Sequence, residues 1–193
     1  MDFIFEAFEN KPVVQLNSCE YLVNTLTDHV PSTSPEFVRQ VTQELIALTD
    51  FSRCDKIVGE EDRGGYMTAI TAYLVNKSFS LVKWHPLGLK GEASFDFRSA
   101  YAEGSMYLNG IRAGDRVIVV EDFIDTGGTM IALVGLLRKM GAEVLDILAV
   151  VEKLDHRARE RIVSETGLTP KVLATITLKD GMSRVMERFK PRP

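Results

Sequence analysis

Residues 116–129 read RVIVVEDFIDTGGT. Arg116 to Val120 carries an unbroken β-branched run, the pattern of a strand covered on both faces. Glu121, Asp122 and Asp125 then set three carboxylates at and just past the strand's carboxyl end. The glycine turn Thr126-Gly127-Gly128-Thr129 leads into a helix expected over Met130 to Met140, with Arg138 and Lys139 in its last turn and Gly141 beyond it. A buried strand passing through a glycine turn into a helix is the repeating unit of an open α/β sheet, whose ligands lie beyond the carboxyl ends of the strands.

The flanking sequence repeats that unit. Lys56 to Glu60 predicts a strand, EDRGG (61–65) a turn, and Tyr66 to Val75 a helix. A second strand is expected at Phe79 to Lys83. Downstream, strands are expected at Val144 to Val151 and Val172 to Leu178, with a polar helix over 155–166 ending at Gly167. Residues 34–49 read as an amphipathic helix: Ser34 caps it, Pro35 suits its first position, and Phe37, Val41, Leu45 and Leu48 recur at helical spacing. Residues 85–110 hold Pro86, several glycines and many polar side chains, so they predict a functional loop or an extra hairpin. The fold class expected is α/β, a mostly parallel sheet with helices on both faces.

With 193 residues and no repeat or linker-like stretch, the chain is expected to form one domain: an N-terminal region 1–52, a core 53–178 and a C-terminal extension 179–193. No apolar run approaches the roughly 20 residues of a membrane span. The acidic N-terminus, MDFIFEAFENKP, lacks the basic region of a secretory signal, and the expected location is cytoplasmic. Cys19 and Cys54 lack metal or disulfide spacing, and His29, His85 and His156 match no metal or nucleophile pattern, so the histidines are expected on the surface or in loops. A net charge of −4 without a strong basic run argues against nucleic acid and for a small ligand.

The chemistry is concentrated in the 121–129 segment. Thr126, Gly127, Gly128 and Thr129 offer unobstructed backbone N–H groups, two hydroxyls and the positive end of a helix dipole, which together make a phosphate cradle. Neither the GxxxxGK of a nucleoside triphosphatase loop nor the GxGxxG of a dinucleotide site is present. Carboxylates beside a phosphate repel it unless they hold sugar hydroxyls or a metal. A ribose 5-phosphate satisfies both halves of the segment, with its phosphate in the glycine turn and its hydroxyls, together with Mg²⁺, at Glu121 and Asp122.

VIVVEDFIDTGGT (117–129) resembles the phosphoribosyl pyrophosphate signature of the type I phosphoribosyltransferases nearly throughout, Phe123 being larger than the aliphatic residue usual in the family. The likeness extends over about residues 15–178. Arg63-Gly64-Gly65 resembles the pyrophosphate-binding loop of hypoxanthine-guanine enzymes and implies a cis Asp62-Arg63 peptide. Lys83 matches a basic residue used on the pyrophosphate. Tyr101, Glu103 and Gly104, followed by Tyr107 to Gly110, resemble the mobile hood of archaeal-type purine enzymes. Lys153 falls where a lysine meets the exocyclic oxygen of a 6-oxopurine.

The resemblance implies that phosphoribosyl pyrophosphate and a purine base are the substrates, with Mg²⁺ as cofactor and a homodimer as the assembly. Asp125 would exchange the proton at purine N7 as general acid and base. Asp125 and Lys153 favour hypoxanthine or guanine, since an ammonium donates to a carbonyl and repels an amino group. The EDRG stretch (61–64) is also similar to adenine enzymes, so adenine or xanthine is the alternative, as is a regulator that binds phosphoribosyl pyrophosphate without catalysis.

Overall fold

The structure is a computed structural model whose description covers residues 1–16, 19–98 and 103–190. In chain order its elements are α1 (Phe3–Phe8), β1 (Val13–Leu16), β2 (Cys19–Leu22), α2 (Pro35–Ile46), β3 (Lys56–Glu60), α3 (Gly65–Leu74), β4 (Ser78–Val82), β5 (Ala93–Arg98), β6 (Glu103–Leu108), β7 (Arg116–Ile124), α4 (Gly128–Lys139), β8 (Glu143–Lys153), α5 (Ala158–Thr166), β9 (Lys171–Lys179) and β10 (Met182–Arg188). Short 3₁₀ turns occupy Phe51–Arg53 and Leu154–His156. No helix among the described residues is long and apolar enough to cross a membrane.

The central sheet has the order β10-β9-β8-β7-β3-β4, with β4, β3, β7, β8 and β9 parallel and β10 antiparallel at one edge. Successive residues of β7 alternate between two cores: Ile118 and Val120 pack with α1, α2 and α3 on one face, whereas Val117 and Val119 pack with α4 and α5 on the other. That double burial is why the run is continuous rather than alternating. The chain leaves β3 outward to β4, then returns to β7 and proceeds the other way, so β3 and β7 flank the topological switch point at which such sheets bind ligands.

Residues 85–110 carry the hairpin β5–β6, whose Phe97, Met106 and Leu108 are buried against the α4 side. A two-way backbone bridge between Lys83 and Tyr107 ties this hairpin to the end of β4. The polar helix expected over 155–166 is split into a 3₁₀ turn and α5, because Arg157 adopts a left-handed φ of 52° between them. The C-terminal extension, which matches no recognised pattern in the sequence, forms β10 and clasps the N-terminus. Ser183 is fully buried, donates its hydroxyl to the Phe8 carbonyl and accepts the Lys11 N–H at 3.0 Å. Arg188 pairs with both Asp2 and Glu44.

Gly59 fixes how closely α3 lies against the sheet. A Cβ there would sit 2.0 Å from the Thr68 hydroxyl and 2.9 Å from the Val120 carbonyl. Gly59→Ala is therefore expected to lower stability by about 2 kcal/mol, a fall in melting temperature of about 4–8 °C in a chain of this size. Adding Thr68→Ala recovers part of that loss, the Val120 carbonyl contact remaining; calorimetry on the single and double variants measures both.

Candidate active site

The carboxyl ends of β3 and β7 meet at the switch point, and glycines allow the meeting. A Cβ at Gly64 would lie 3.3 Å from both the Asp122 nitrogen and Glu121 Oε1, and one at Gly65 would lie 3.1 Å from the Glu60 carbonyl. Arg63 extends from the same turn, its guanidinium 4.8 Å from the centre of the Tyr21 ring and 3.8 Å from Asp62. The Asp62-Arg63 peptide is trans, against expectation: Val30-Pro31 is the cis bond among the described residues. The trans form is preferred by about 3 kcal/mol at a non-proline bond, and the glycines bring the turn against the carboxylates without it.

Glu121 and Asp122 are almost wholly buried. Glu121 Oε1 accepts the Asp122 N–H at 3.1 Å, and Asp122 Oδ1 accepts the Phe123 N–H at 2.6 Å. Asp122 Oδ2 is buried with no hydrogen-bond partner. Burial raises the carboxyl of Glu121 well above its ordinary range, the adjacent charge of Asp122 adding to it, and burial likewise raises Asp122. Glu60, at the end of β3, is pushed up to about 7 by burial and then by the charges of Asp122 and Asp62. A buried cluster of like charges with an orphaned oxygen fits a divalent cation. Among the described residues no group of three His, Cys, Asp or Glu side chains is arranged to hold a metal ion by itself.

The turn that follows opens α4. Gly127 adopts a φ of 78°, and a Cβ there would sit 3.0 Å from Ile162 and 3.3 Å from the Ala158 carbonyl, so both its torsion and its packing on α5 need glycine. Arg161 donates to the Thr126 carbonyl at 2.9 Å and holds the turn from outside. No side chain caps α4, which leaves its first turn directed into a cavity of about 170 Å³ lined by Arg63, Gly64 and the segment from Glu121 to Met130. Asp125 lines this cavity too. Both of its oxygens are buried without a hydrogen bond, while Lys153 Nζ lies 3.6 Å and His156 Nε2 3.4 Å from Oδ1.

Other expected site residues lie elsewhere. Lys83 pairs with Glu61 at 2.7 Å and does not line the cavity. Glu103 and Gly104 begin β6 and do not line it either, and Tyr101 lies outside the described residues. Lys153 is the buried last residue of β8, with Nζ 3.6 Å from Asp125 Oδ1, and is not among the residues that line the cavity. The sequence reading missed Glu60, which its position at the end of β3 could have revealed. It also missed Tyr21 and Asn24 from the N-terminal segment, and Trp84 with Phe97, which meet edge to face at 5.0 Å and line the cavity. His156 is half-exposed, as expected of a surface histidine, yet it adjoins Asp125.

The raised carboxyl of Glu60 gives a signed pH dependence. Its protonated form is favoured on folding, so its contribution is fully present below about pH 4.5 and is lost as pH rises through about 7. Without metal or ligand, Glu60→Gln is expected to be more stable than wild type at pH 8 by about 1–3 kcal/mol and nearly equal to it at pH 4.5. Thermal melts of both proteins in chelator across that range check the difference.

A family model described as a phosphoribosyl transferase domain matches residues 68–177, more than half of the chain. Among similar proteins, the hypoxanthine/guanine phosphoribosyltransferase of Methanocaldococcus infernus is 35% identical over 176 residues, spanning 91% of this chain and 95% of the relative. The protein of the same name from Methanotorris igneus is 36% identical over 177 residues, with the same coverage of 91% and 95%. In structure, an adenine phosphoribosyltransferase from Thermoanaerobacter pseudethanolicus superposes with a TM-score of 0.74 at 21% identity, over 89% of this chain and 97% of that one. At that identity the likeness bears on the fold, and it agrees with the parallel sheet and its switch point. The sequence matches, which run through the strand-end carboxylates and the glycine turn described above, assign the family: the chain belongs to the phosphoribosyltransferases.

Proposed function

We propose that the chain is a purine salvage enzyme that transfers the ribose 5-phosphate of phosphoribosyl pyrophosphate to hypoxanthine or guanine, with Mg²⁺ as cofactor. The observation that carries this reading is Asp125: a buried carboxylate without a hydrogen bond, lining the cavity beside a phosphate-binding turn, with a buried lysine 3.6 Å away. Two relatives at 35% and 36% identity bear the hypoxanthine/guanine name, which supports the choice of base.

In this reading the 5-phosphate accepts hydrogen bonds from backbone N–H groups of Thr126 to Thr129 at the start of α4, where the helix dipole favours the anion. Glu121 and Asp122 take the ribose hydroxyls and would hold the magnesium ion, which when bound neutralises charge on the leaving pyrophosphate. Arg63 and the Gly64 backbone face that pyrophosphate. Lys83 joins them only by leaving Glu61, and Glu103 and Gly104, at the start of β6, are read as part of a mobile hood. Purine N9 attacks the anomeric carbon as the bond to pyrophosphate breaks, and Asp125 accepts the proton from N7. Lys153, beside Asp125, donates to the exocyclic oxygen of a 6-oxopurine and would meet the amino group of adenine donor to donor. The reading includes a cytoplasmic homodimer, for which the exposed Tyr73, Leu74 and Phe79 on α3 and β4 supply an apolar surface.

Pyrophosphate release with each base supplied separately tests the proposal. Hypoxanthine or guanine is expected to turn over, adenine alone would overturn the base assignment, and binding without turnover would favour a regulator. Asp125→Asn is expected to lower kcat by about 10²–10⁴-fold while phosphoribosyl pyrophosphate still binds. Lys153→Met is expected to cut kcat/KM for the 6-oxopurine by about 10–100-fold without lowering any residual rate with adenine.

A further inference from the structure

We propose that His156 is the proton-exchange partner of Asp125, clearing to solvent the proton that Asp125 takes from the base in each turnover. This rests on the reading of Asp125 given above, and goes beyond it by assigning the outward leg of the proton's path.

Asp125 lines the cavity, and its carboxylate side chain is only 10% exposed. Two groups stand behind it, both directed at Oδ1: Lys153 Nζ at 3.6 Å and His156 Nε2 at 3.4 Å. Neither lines the cavity, and neither is hydrogen-bonded to Asp125 in this structure, although both lie within ion-pair distance of it.

The two neighbours differ in what they can do. An ammonium has three donors and no acceptor, so Lys153 stabilises the charge of Asp125 without being able to relieve it of a proton. A neutral imidazole has a free ring nitrogen that accepts, and a second that can release. Their exposure divides them in the same way: the Lys153 side chain is 6% exposed and that of His156 is 45%. The imidazole is thus the neighbour of Asp125 that is itself in contact with solvent.

The backbone holds His156 there. It ends the 3₁₀ turn Leu154–His156, closed by Arg157 in the left-handed region, whose N–H returns to the Leu154 carbonyl at 3.2 Å. Before the turn, the buried carboxylate of Glu152 accepts from both the backbone and the guanidinium of Arg159; within it, Asp155 accepts from the Thr177 hydroxyl at 3.4 Å. Arg157, the nearest further charge in sequence, is turned away into a pair with Glu160. The charged group recorded against the imidazole is Asp125, 3.4 Å from Nε2.

The step balances as follows. The N9–C1 bond forms, the bond from C1 to the pyrophosphate oxygen breaks, and the N7 proton passes to the Asp125 carboxylate. The neutral acid that results cannot serve the next base. It gives its proton to Nε2 of His156, and the imidazolium loses one from Nδ1 to water, restoring both groups.

Rapid-quench kinetics on His156→Ala and His156→Gln, with the purine that wild type uses, test this. The first turnover is expected at wild-type amplitude, followed by a steady-state rate reduced about tenfold or more, with KM for phosphoribosyl pyrophosphate unchanged. Added imidazole is expected to restore the alanine variant in a concentration-dependent manner, and the glutamine variant far less. A steady-state rate equal to wild type overturns the proposal, as does loss of the first turnover without rescue by imidazole, which is the mark of a merely structural role. Wild type inert with every purine, or Asp125→Asn fully active, would instead overturn the reading of the site.

Discussion

The constraint on which this structure turns is the gathering of partly buried Glu60 with buried Glu121 and Asp122 at the carboxyl ends of β3 and β7. Each carboxyl is raised by burial, each by its neighbours' charge or despite partial relief from Arg63, and one Asp122 oxygen has no partner at all. A protein selected for stability alone would not set three acids together with two of them out of water, since buried like charges are tolerated only when something neutralises them. In the proposed reading, a cation and the hydroxyls of a sugar supply that compensation. Gly64 and Gly65 serve this constraint, for a Cβ at Gly64 would crowd Asp122 and Glu121 and one at Gly65 would crowd the Glu60 carbonyl.

The core of the fold was legible because local signals agree there. The residues of β3, β7, β8 and β9 are apolar on both faces, and only a covered parallel sheet leaves so many β-branched residues in succession. The edges were not. α1 and the hairpin β1–β2 are short, and β10 is half-exposed; their placement depends on contacts such as Ser183 with Phe8 and Lys11, which join residues more than 170 positions apart. Nothing in a local window encodes such a pairing. The left-handed Arg157 that splits the 155–166 segment is equally unannounced, since arginine has no preference for that torsion.

The site was legible wherever its residues adjoin in sequence. Glu121 to Thr129 could be assigned as one unit because strand end, acids, glycines and helix start follow one another in a single stretch. Residues brought in from other elements were harder. Glu60 terminates a different strand, Trp84 and Phe97 come from either side of the β5 approach, and His156 reaches Asp125 only through a turn whose geometry the sequence does not fix. The expectation of a cis Asp62-Arg63 peptide came from resemblance, and the glycine-lined trans turn replaces it.

The most direct test of the central claim is the count of protons exchanged when the site fills. Calorimetric titration of phosphoribosyl pyrophosphate with Mg²⁺, at pH 7 in buffers of different ionisation enthalpy, yields that count. Glu60 sits near half-protonation at this pH, with Glu121 and Asp122 raised beside it. Release of several tenths of a proton or more per site, diminished in Glu60→Gln, is the predicted result. Binding with the same proton count in wild type and Glu60→Gln would contradict the account, because it would mean that the carboxylates are already ionised in the empty protein.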